Sequence, residues 1–178
     1  MTRSAFVVGL FVAERGYTGS MTFQTPSIDQ PAPDFSLVGH DDTRYELQSF
    51  HSSWLVLYFY PKDNTPGCTT EACSLRDANP ALADMHATVV GVSMDTPGEH
   101  REFIDVYRLP FVLLSDPTGA TIRRYGAWGK KMFGQEGILR KTFIIDPEGI
   151  VRKVYGRVTP DGHGAQLLAD LSKLQSTR

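Results

Sequence analysis

The clearest pattern in the chain is an unbroken apolar and aromatic run, Trp54 to Tyr60 (WLVLYFY), that stops at Pro61. A strand with one wet face alternates apolar and polar residues, so a continuous run of this length predicts a strand buried on both faces. Thr88 to Met94 (TVVGVSM) and Phe111 to Leu114 read the same way. Helical spacing separates these runs. Thr69 to Ala78 reads as a helix, and Asn79-Pro80 is expected to kink or interrupt it before Ala81 to Met85, because an interior proline removes a backbone hydrogen bond. Glu99 to Arg108 is amphipathic, with Thr96 as its cap and Pro97 in its first turn.

Further along, Pro117 to Tyr125 predicts a short helix. Thr142 to Ile145 and Ile150 to Tyr155 flank Asp146-Pro147-Glu148-Gly149, a strong hairpin turn. Gln166 to Leu174 closes the chain as a helix with Leu167, Leu168, Leu171 and Leu174 on one face. Upstream, Gln30 to Phe35 (QPAPDF) is an extended lead-in, and Phe35 to Leu47 predicts a small hairpin around Gly39 to Asp42. Strands alternating with helices, ending in a hairpin and a helix, predict an α/β fold with a central mixed β-sheet and helices on both faces. That arrangement is compatible with a thioredoxin-like domain.

The length of 178 residues argues for one domain. It spans 25–178 and is preceded by a segment, 1–24, of different character. Ala5 to Ala13 (AFVVGLFVA) is apolar but nine residues long, too short to span a bilayer, and Glu14 and Arg15 follow at once. We expect 1–24 to be a flexible tail or an over-extended start, with Met21 as the alternative first residue. At 41% hydrophobic and 21% charged, the composition is that of a folded chain, and a net charge of -2 without a long basic run gives no reason to expect nucleic acid or an anionic membrane as a partner. The five histidines, His40, His51, His86, His100 and His163, lack metal-ligand spacing and read as solvated surface residues.

Cysteine usage changes the picture. There are two, Cys68 and Cys73, too few for a disulfide scaffold or a four-cysteine zinc site, and their separation invites a redox reading. Cys68 falls in PKDNTPGCTTEAC (Pro61 to Cys73), after a buried strand and at the opening of a helix. Unpaired N–H groups and the helix dipole favour an anion there. A fast thiol reaction also needs groups that stabilise charge as a bond breaks. Thr65 can supply a hydroxyl that both donates and accepts, Pro61 and Pro66 fix the loop, and Gly67 admits a close approach. An always-charged helper is best supplied by arginine, and Arg140 precedes a central strand. Glu71 is a like charge near a thiolate, so it reads equally as a helix N-terminal residue, an accessory catalytic group or a partner of Arg140.

Pro61, Thr65 and Cys68 match the peroxiredoxin pattern of proline, three residues, threonine or serine, two residues, cysteine. With Cys73 five positions on, the chain resembles the peroxiredoxin Q group, also called bacterioferritin comigratory proteins. The similarity runs from about Ala32 to the C-terminal helix and includes Tyr125 to Trp128 (YGAW) and Arg140 to Asp146 (RKTFIID). The resemblance implies a thioredoxin-like fold, with Cys68 as peroxidatic thiol, Cys73 as resolving thiol, and Thr65, Arg140 and Pro61 as activators. It also implies a hydroperoxide substrate, a thioredoxin or similar dithiol reductant, and no metal or bound cofactor. An intramolecular resolving thiol removes the need for a dimer, so a cytoplasmic monomer is expected.

Competing readings remain open at this point. A thioredoxin-type oxidoreductase would carry Cys-x-x-Cys, whereas four residues intervene here. A cysteine hydrolase would need a histidine base, and a binding domain could carry the two thiols without using them.

The spacing has a mechanical consequence. In a regular helix, residues i and i+5 have Cα atoms about 8.7 Å apart, and disulfides need them within about 7 Å. Cys68 and Cys73 therefore cannot pair while their helix is intact, and its first turns must unwind. Thr69 and Thr70 are weak helix formers that ease this. Helix content measured by circular dichroism should fall when reduced protein is oxidised, and an unchanged spectrum would count against unwinding.

Overall fold

The computed structural model describes residues 24–131 and 134–177. Residues 1–23 lie outside this range, so the expectation of a tail or over-extended start over 1–24 falls on them almost entirely.

Among the described residues nine strands and four α-helices follow one another in chain order. β1 (Ser36–Gly39) and β2 (Arg44–Glu46) form the expected antiparallel hairpin, and a 3-10 turn follows at Leu47–Phe50. β3 (Trp54–Phe59), α1 (Pro66–Asp84), β4 (Ala87–Ser93), α2 (Pro97–Tyr107) and β5 (Val112–Ser115) come next. β3 to β4 and β4 to β5 pair in parallel, each through a helical crossover. After α3 (Ala120–Arg124) come two short strands, β6 (Trp128–Lys130) and β7 (Glu136–Ile138), which pair only with each other in the described residues. β8 (Lys141–Ile145) and β9 (Val151–Tyr155) form the predicted hairpin, and α4 (His163–Ser176) closes the chain.

The main sheet has the order β2-β1-β5-β4-β3-β8-β9. β3 is buried along its whole length because β4 lies on one side, β8 on the other, and apolar layers cover both faces. Its side chains alternate between those layers, as the pleat requires. Trp54, Val56, Tyr58 and Tyr60 join a cluster with Leu75 and Leu82 of α1, Phe103 of α2, and Leu167 and Leu171 of α4. Leu55, Leu57 and Phe59 face Ile122 of α3, Tyr125, Ile138 and Phe143. The expected mixed sheet with helices on both faces is thus present, with three long helices on one face and the short α3 on the other.

Some local details depart from the sequence reading. Pro80 does not interrupt α1, which runs on to Asp84. Packing of α1 against α4 and the sheet outweighs the lost backbone bond. α2 starts at Pro97 with the full capping box of Thr96 and Glu99. α3 starts later than expected, at Ala120, because the Asp116 carboxylate gathers the backbone N–H groups of Ala120 and Ile122. The β6–β7 pair was missed: three-residue strands with Gly129 and Gly137 carry no readable period.

The histidine expectation also needs correcting. His51 and His86 are exposed and His40 is half-buried, but His100 and His163 are buried. His100 meets Asp63, and the Nε2 of His163 meets the hydroxyl of Thr142. The signal was present in the helical period, because His100 precedes Phe103, Ile104 and Tyr107 on the apolar stripe of α2, and His163 precedes Leu167 and Leu171.

α1 and α4 meet where Gly164 sits against the Ser74 carbonyl, so closely that a Cβ on residue 164 would lie 2.2 Å from that oxygen. The backbone N–H of Gly164 also donates to the Ser74 hydroxyl at 2.9 Å. This contact fastens α1 to the C-terminal helix one residue after Cys73. Among the described residues no helix is long and apolar enough to cross a membrane.

Candidate active site

The loop from Pro61 to Thr65 leaves the carboxyl end of β3 and delivers the chain into α1. Thr65 is the N-cap of α1, in extended conformation, and Pro66 occupies the first turn, where a missing N–H costs nothing. An N-cap threonine ordinarily turns its hydroxyl onto the helix N–H groups. Here the hydroxyl makes no such bond. It lies 2.8 Å from Cys68 Sγ and 3.1 Å from the Lys62 carbonyl oxygen. The single hydroxyl proton can serve either acceptor, and an ionised sulfur competes well for it.

Cys68 is buried within the first turn of α1. Its second contact comes from far along the chain. β3 and β8 are antiparallel with Phe59 opposite Lys141, so Arg140 arrives level with Tyr60, beside the start of the loop. Its Nη2 lies 3.2 Å from Cys68 Sγ and its Nη1 donates to Glu71 Oε2 at 2.6 Å. Gly67 makes room: a Cβ there would lie 2.8 Å from Arg140 Nη2. Any larger residue at 67 would push the guanidinium off the sulfur.

Glu71 lies beyond the first turn of α1, so the helix-terminus reading does not describe it; its carboxylate pairs with Arg140 instead. Its side chain is fully buried, and Oε1 has no hydrogen-bond partner. Burial pushes its pKa up from 4.5 to about 7, against the pull of Arg140. Burial also opposes the charge of Arg140, but the neighbouring Cys68 and Glu71 outweigh it and hold the guanidinium above its ordinary value. The phenol of Tyr58 is buried without a partner, and desolvation together with the nearby Glu71 raises its pKa well above the usual range.

Cys73 is half-buried, and neither it nor the buried Cys68 is in a disulfide. Both stand in the same unbroken helix, the geometry in which they cannot reach one another. Cys73 lines a groove of about 520 Å³ between α1 and the start of α4, with Thr70, Asp77, Gly162 and Leu168. Of the residues singled out from sequence, the fold therefore gathers Thr65, Cys68, Glu71 and Arg140 into one contact network, with Cys73 further along the same helix. Pro61 begins the loop and makes no hydrogen bond to the sulfur. The hydrogen-bond partners of Cys68 are Thr65 and Arg140, neither of them the histidine base that a cysteine hydrolase would use. Among the described residues no group of His, Cys, Asp and Glu side chains is arranged to hold a metal ion.

The AhpC/TSA family matches residues 28–154. Peroxiredoxin Bcp of Bacillus subtilis (strain 168) is 41% identical over 153 residues, covering 84% of this chain and 98% of that protein. The chloroplastic peroxiredoxin Q of Populus jackii is 39% identical over 147 residues, which is 82% of this chain and 68% of that protein. Among solved structures, a cysteine-to-serine mutant of Xylella fastidiosa PrxQ superposes with a TM-score of 0.81 at 30% identity, covering 85% of this chain and 99% of the other. The bacterioferritin comigratory protein of Xanthomonas campestris, studied for alkyl peroxide reduction, gives 0.74 at 35% identity, with 78% and 90% covered.

The Glu71 environment yields a stability prediction. Its folded pKa is raised, so the folded state holds a proton that the unfolded chain has released between pH 4.5 and about 7. Stability from this group is therefore complete below pH 4.5 and is lost as pH rises through 7, by roughly 3 kcal/mol at 1.36 kcal/mol per unit. Urea unfolding of the reduced protein should show Glu71→Gln gaining on the parent by about that amount between pH 4.5 and 8. A difference between the two proteins that does not change with pH would contradict the buried, proton-holding carboxyl.

Proposed function

The chain belongs to the AhpC/TSA family of peroxiredoxins, and from that premise we propose that it is a thiol peroxidase in which Cys68 attacks the hydroperoxide and Cys73 resolves the product. The observation that carries this reading is the pair of donors on one sulfur. The Thr65 hydroxyl and the Arg140 guanidinium both face Cys68 Sγ at the N-terminus of α1, with Cys73 five residues further on.

In the first step the Cys68 thiolate attacks one peroxide oxygen. The S–O bond forms as the O–O bond breaks, and the leaving oxygen takes up a proton from the medium to depart as water or an alcohol. Negative charge spreads from sulfur to the departing oxygen. Arg140 supports both ends of that charge, and the Thr65 hydroxyl, which accepts as well as donates, aligns the incoming peroxide proton. Pro61 shields the thiolate from water. Glu71 holds the Arg140 fork in register with the sulfur by accepting from Nη1 while Nη2 faces Cys68.

The Cys68 sulfenic acid then condenses with the Cys73 thiol, forming the S–S bond and releasing water. The early turns of α1 unwind for this, up to the point where Gly164 grips Ser74. An external dithiol, of the thioredoxin type, attacks the disulfide and restores both thiols while becoming oxidised itself. Alkyl hydroperoxides as well as hydrogen peroxide fit this scheme, in line with the Xanthomonas campestris relative. Because the resolving thiol is on the same chain, one subunit suffices and the working form is a monomer. A disulfide that must be re-reduced in each cycle suits the cytoplasm.

Intact mass with peptide mapping tests the reading. One equivalent of hydrogen peroxide should remove about two hydrogens from the reduced protein and link Cys68 to Cys73. Cys73→Ser should stop at the addition of one oxygen on Cys68. Peroxide that survives with no mass change would refute the peroxidase reading, and one oxygen without a link in the parent would remove Cys73 from the resolving role.

A further inference from the structure

Behind the Pro61–Thr65 loop lies a second polar cluster that the peroxide chemistry does not touch. Asp63, in the middle of the loop, is buried. Its carboxylate accepts from the Tyr60 hydroxyl at 2.7 Å on one oxygen and meets His100 Nδ1 at 2.7 Å on the other. Its backbone N–H donates to Asp95 Oδ2 at 3.0 Å. Asp95 is itself held by the Ser93 hydroxyl on the same oxygen, and its carbonyl accepts from the Ser115 hydroxyl. The loop is thereby tied at one residue to β3, α2 and the ends of β4 and β5.

His100 is the least expected member. It is fully buried on the apolar stripe of α2, and its Nε2 has no hydrogen-bond partner. Replacing a buried ionisable pair by well-packed apolar residues is often neutral or stabilising, so burial alone gives no reason for an imidazole here. Its Nδ1 does have a task. As a donor it fixes which way the Asp63 carboxylate points, and Asp63 lies only two residues before Thr65. Asn64, between them, takes the left-handed conformation (φ 56°), and Thr65 returns to extended backbone. With so little chain in between, the direction of the Thr65 hydroxyl follows from where Asp63 is held.

We propose that Asp63 and His100 are positioning residues that hold the loop so that the Thr65 hydroxyl faces the Cys68 sulfur. This rests on the peroxidase reading above. The clamp lies outside α1, so it persists while the first turns of α1 unwind for the disulfide. It returns Thr65 to the same place when Cys68 comes back. A structural role alone would alter stability without separating peroxide from other electrophiles. A positioning role acts far more on peroxide, whose proton the hydroxyl also aligns, than on alkylation, which draws on the thiolate alone.

The test is the rate of Cys68 oxidation by hydrogen peroxide in stopped flow, set beside the rate of Cys68 alkylation by iodoacetamide, with Cys73→Ser in every protein so that one thiol reports. His100→Leu should cut the peroxide rate by about 10- to 100-fold while alkylation stays within about twofold. His100→Asn places an amide donor near the position of Nδ1 and should restore most of the peroxide rate. A folded His100→Leu protein with an unchanged peroxide-to-alkylation ratio would overturn the proposal. If His100→Leu does not fold, Asp63→Asn serves instead: it keeps an acceptor for Tyr60 but disturbs the His100 contact, and the same fall in ratio is expected, an unchanged ratio again overturning it. A parent protein that reacts with peroxide no faster than free cysteine would overturn the peroxidase reading itself, and a fast parent with indifferent variants would overturn this proposal alone.

Discussion

A sulfur buried at the start of a helix can carry negative charge only if donors replace the water it has lost, and the architecture around Cys68 is organised by that requirement. The two donors come from opposite directions. Thr65 is local, three residues before the cysteine, and its hydroxyl turns away from the usual N-cap bond to reach the sulfur. Arg140 is distant in sequence and is brought in by the antiparallel register of β8 on β3. Gly67 leaves the space for it, and the buried Glu71 fixes its other nitrogen. The central strand therefore serves both purposes: its end launches the loop that carries Thr65, and its neighbour delivers Arg140.

In the proposed cycle the same helix is both firm and breakable. While it is intact the two donors hold the sulfur, and Cys73 stays out of reach. Unwinding surrenders those contacts. Two fixed points bracket the segment that unwinds in the proposed cycle, the Asp63 ties on the loop and the Gly164–Ser74 contact just past Cys73. Between them lie Thr69 and Thr70, whose weak helix preference lowers the cost of the change. Pro80 stands beyond the second fixed point, in the part of α1 that is packed against α4.

What could be read from the sequence divides along the distance over which a signal acts. The apolar run of β3, the capping box of α2 and the Asp146–Gly149 turn are short-range patterns and were legible. So was the Pro61 to Cys73 segment as a loop running from a buried strand into a helix, because its prolines, threonines and two cysteines lie within thirteen residues. The pairing of Glu71 with Arg140 was one of several readings, because nothing in the sequence sets the register of β8 against β3. His100 and His163 were misjudged by residue type, although their helical positions among apolar residues placed them inward. The β6–β7 pair escaped notice because three residues with glycine hold no period, and the late start of α3 because the Asp116 side chain, not local propensity, decides it.

The central claim is that the contacts of Arg140 and Thr65 with the sulfur make Cys68 a peroxide-reactive thiol. The most direct measurement is the second-order rate constant for hydrogen peroxide with reduced protein carrying Arg140→Lys, which keeps the charge and loses the planar fork. The account predicts a fall of about a hundredfold or more, because the lost contacts act on charge developing in the transition state. A rate constant within about threefold of the parent would contradict it, since a single retained charge would then suffice and the fork geometry would be irrelevant.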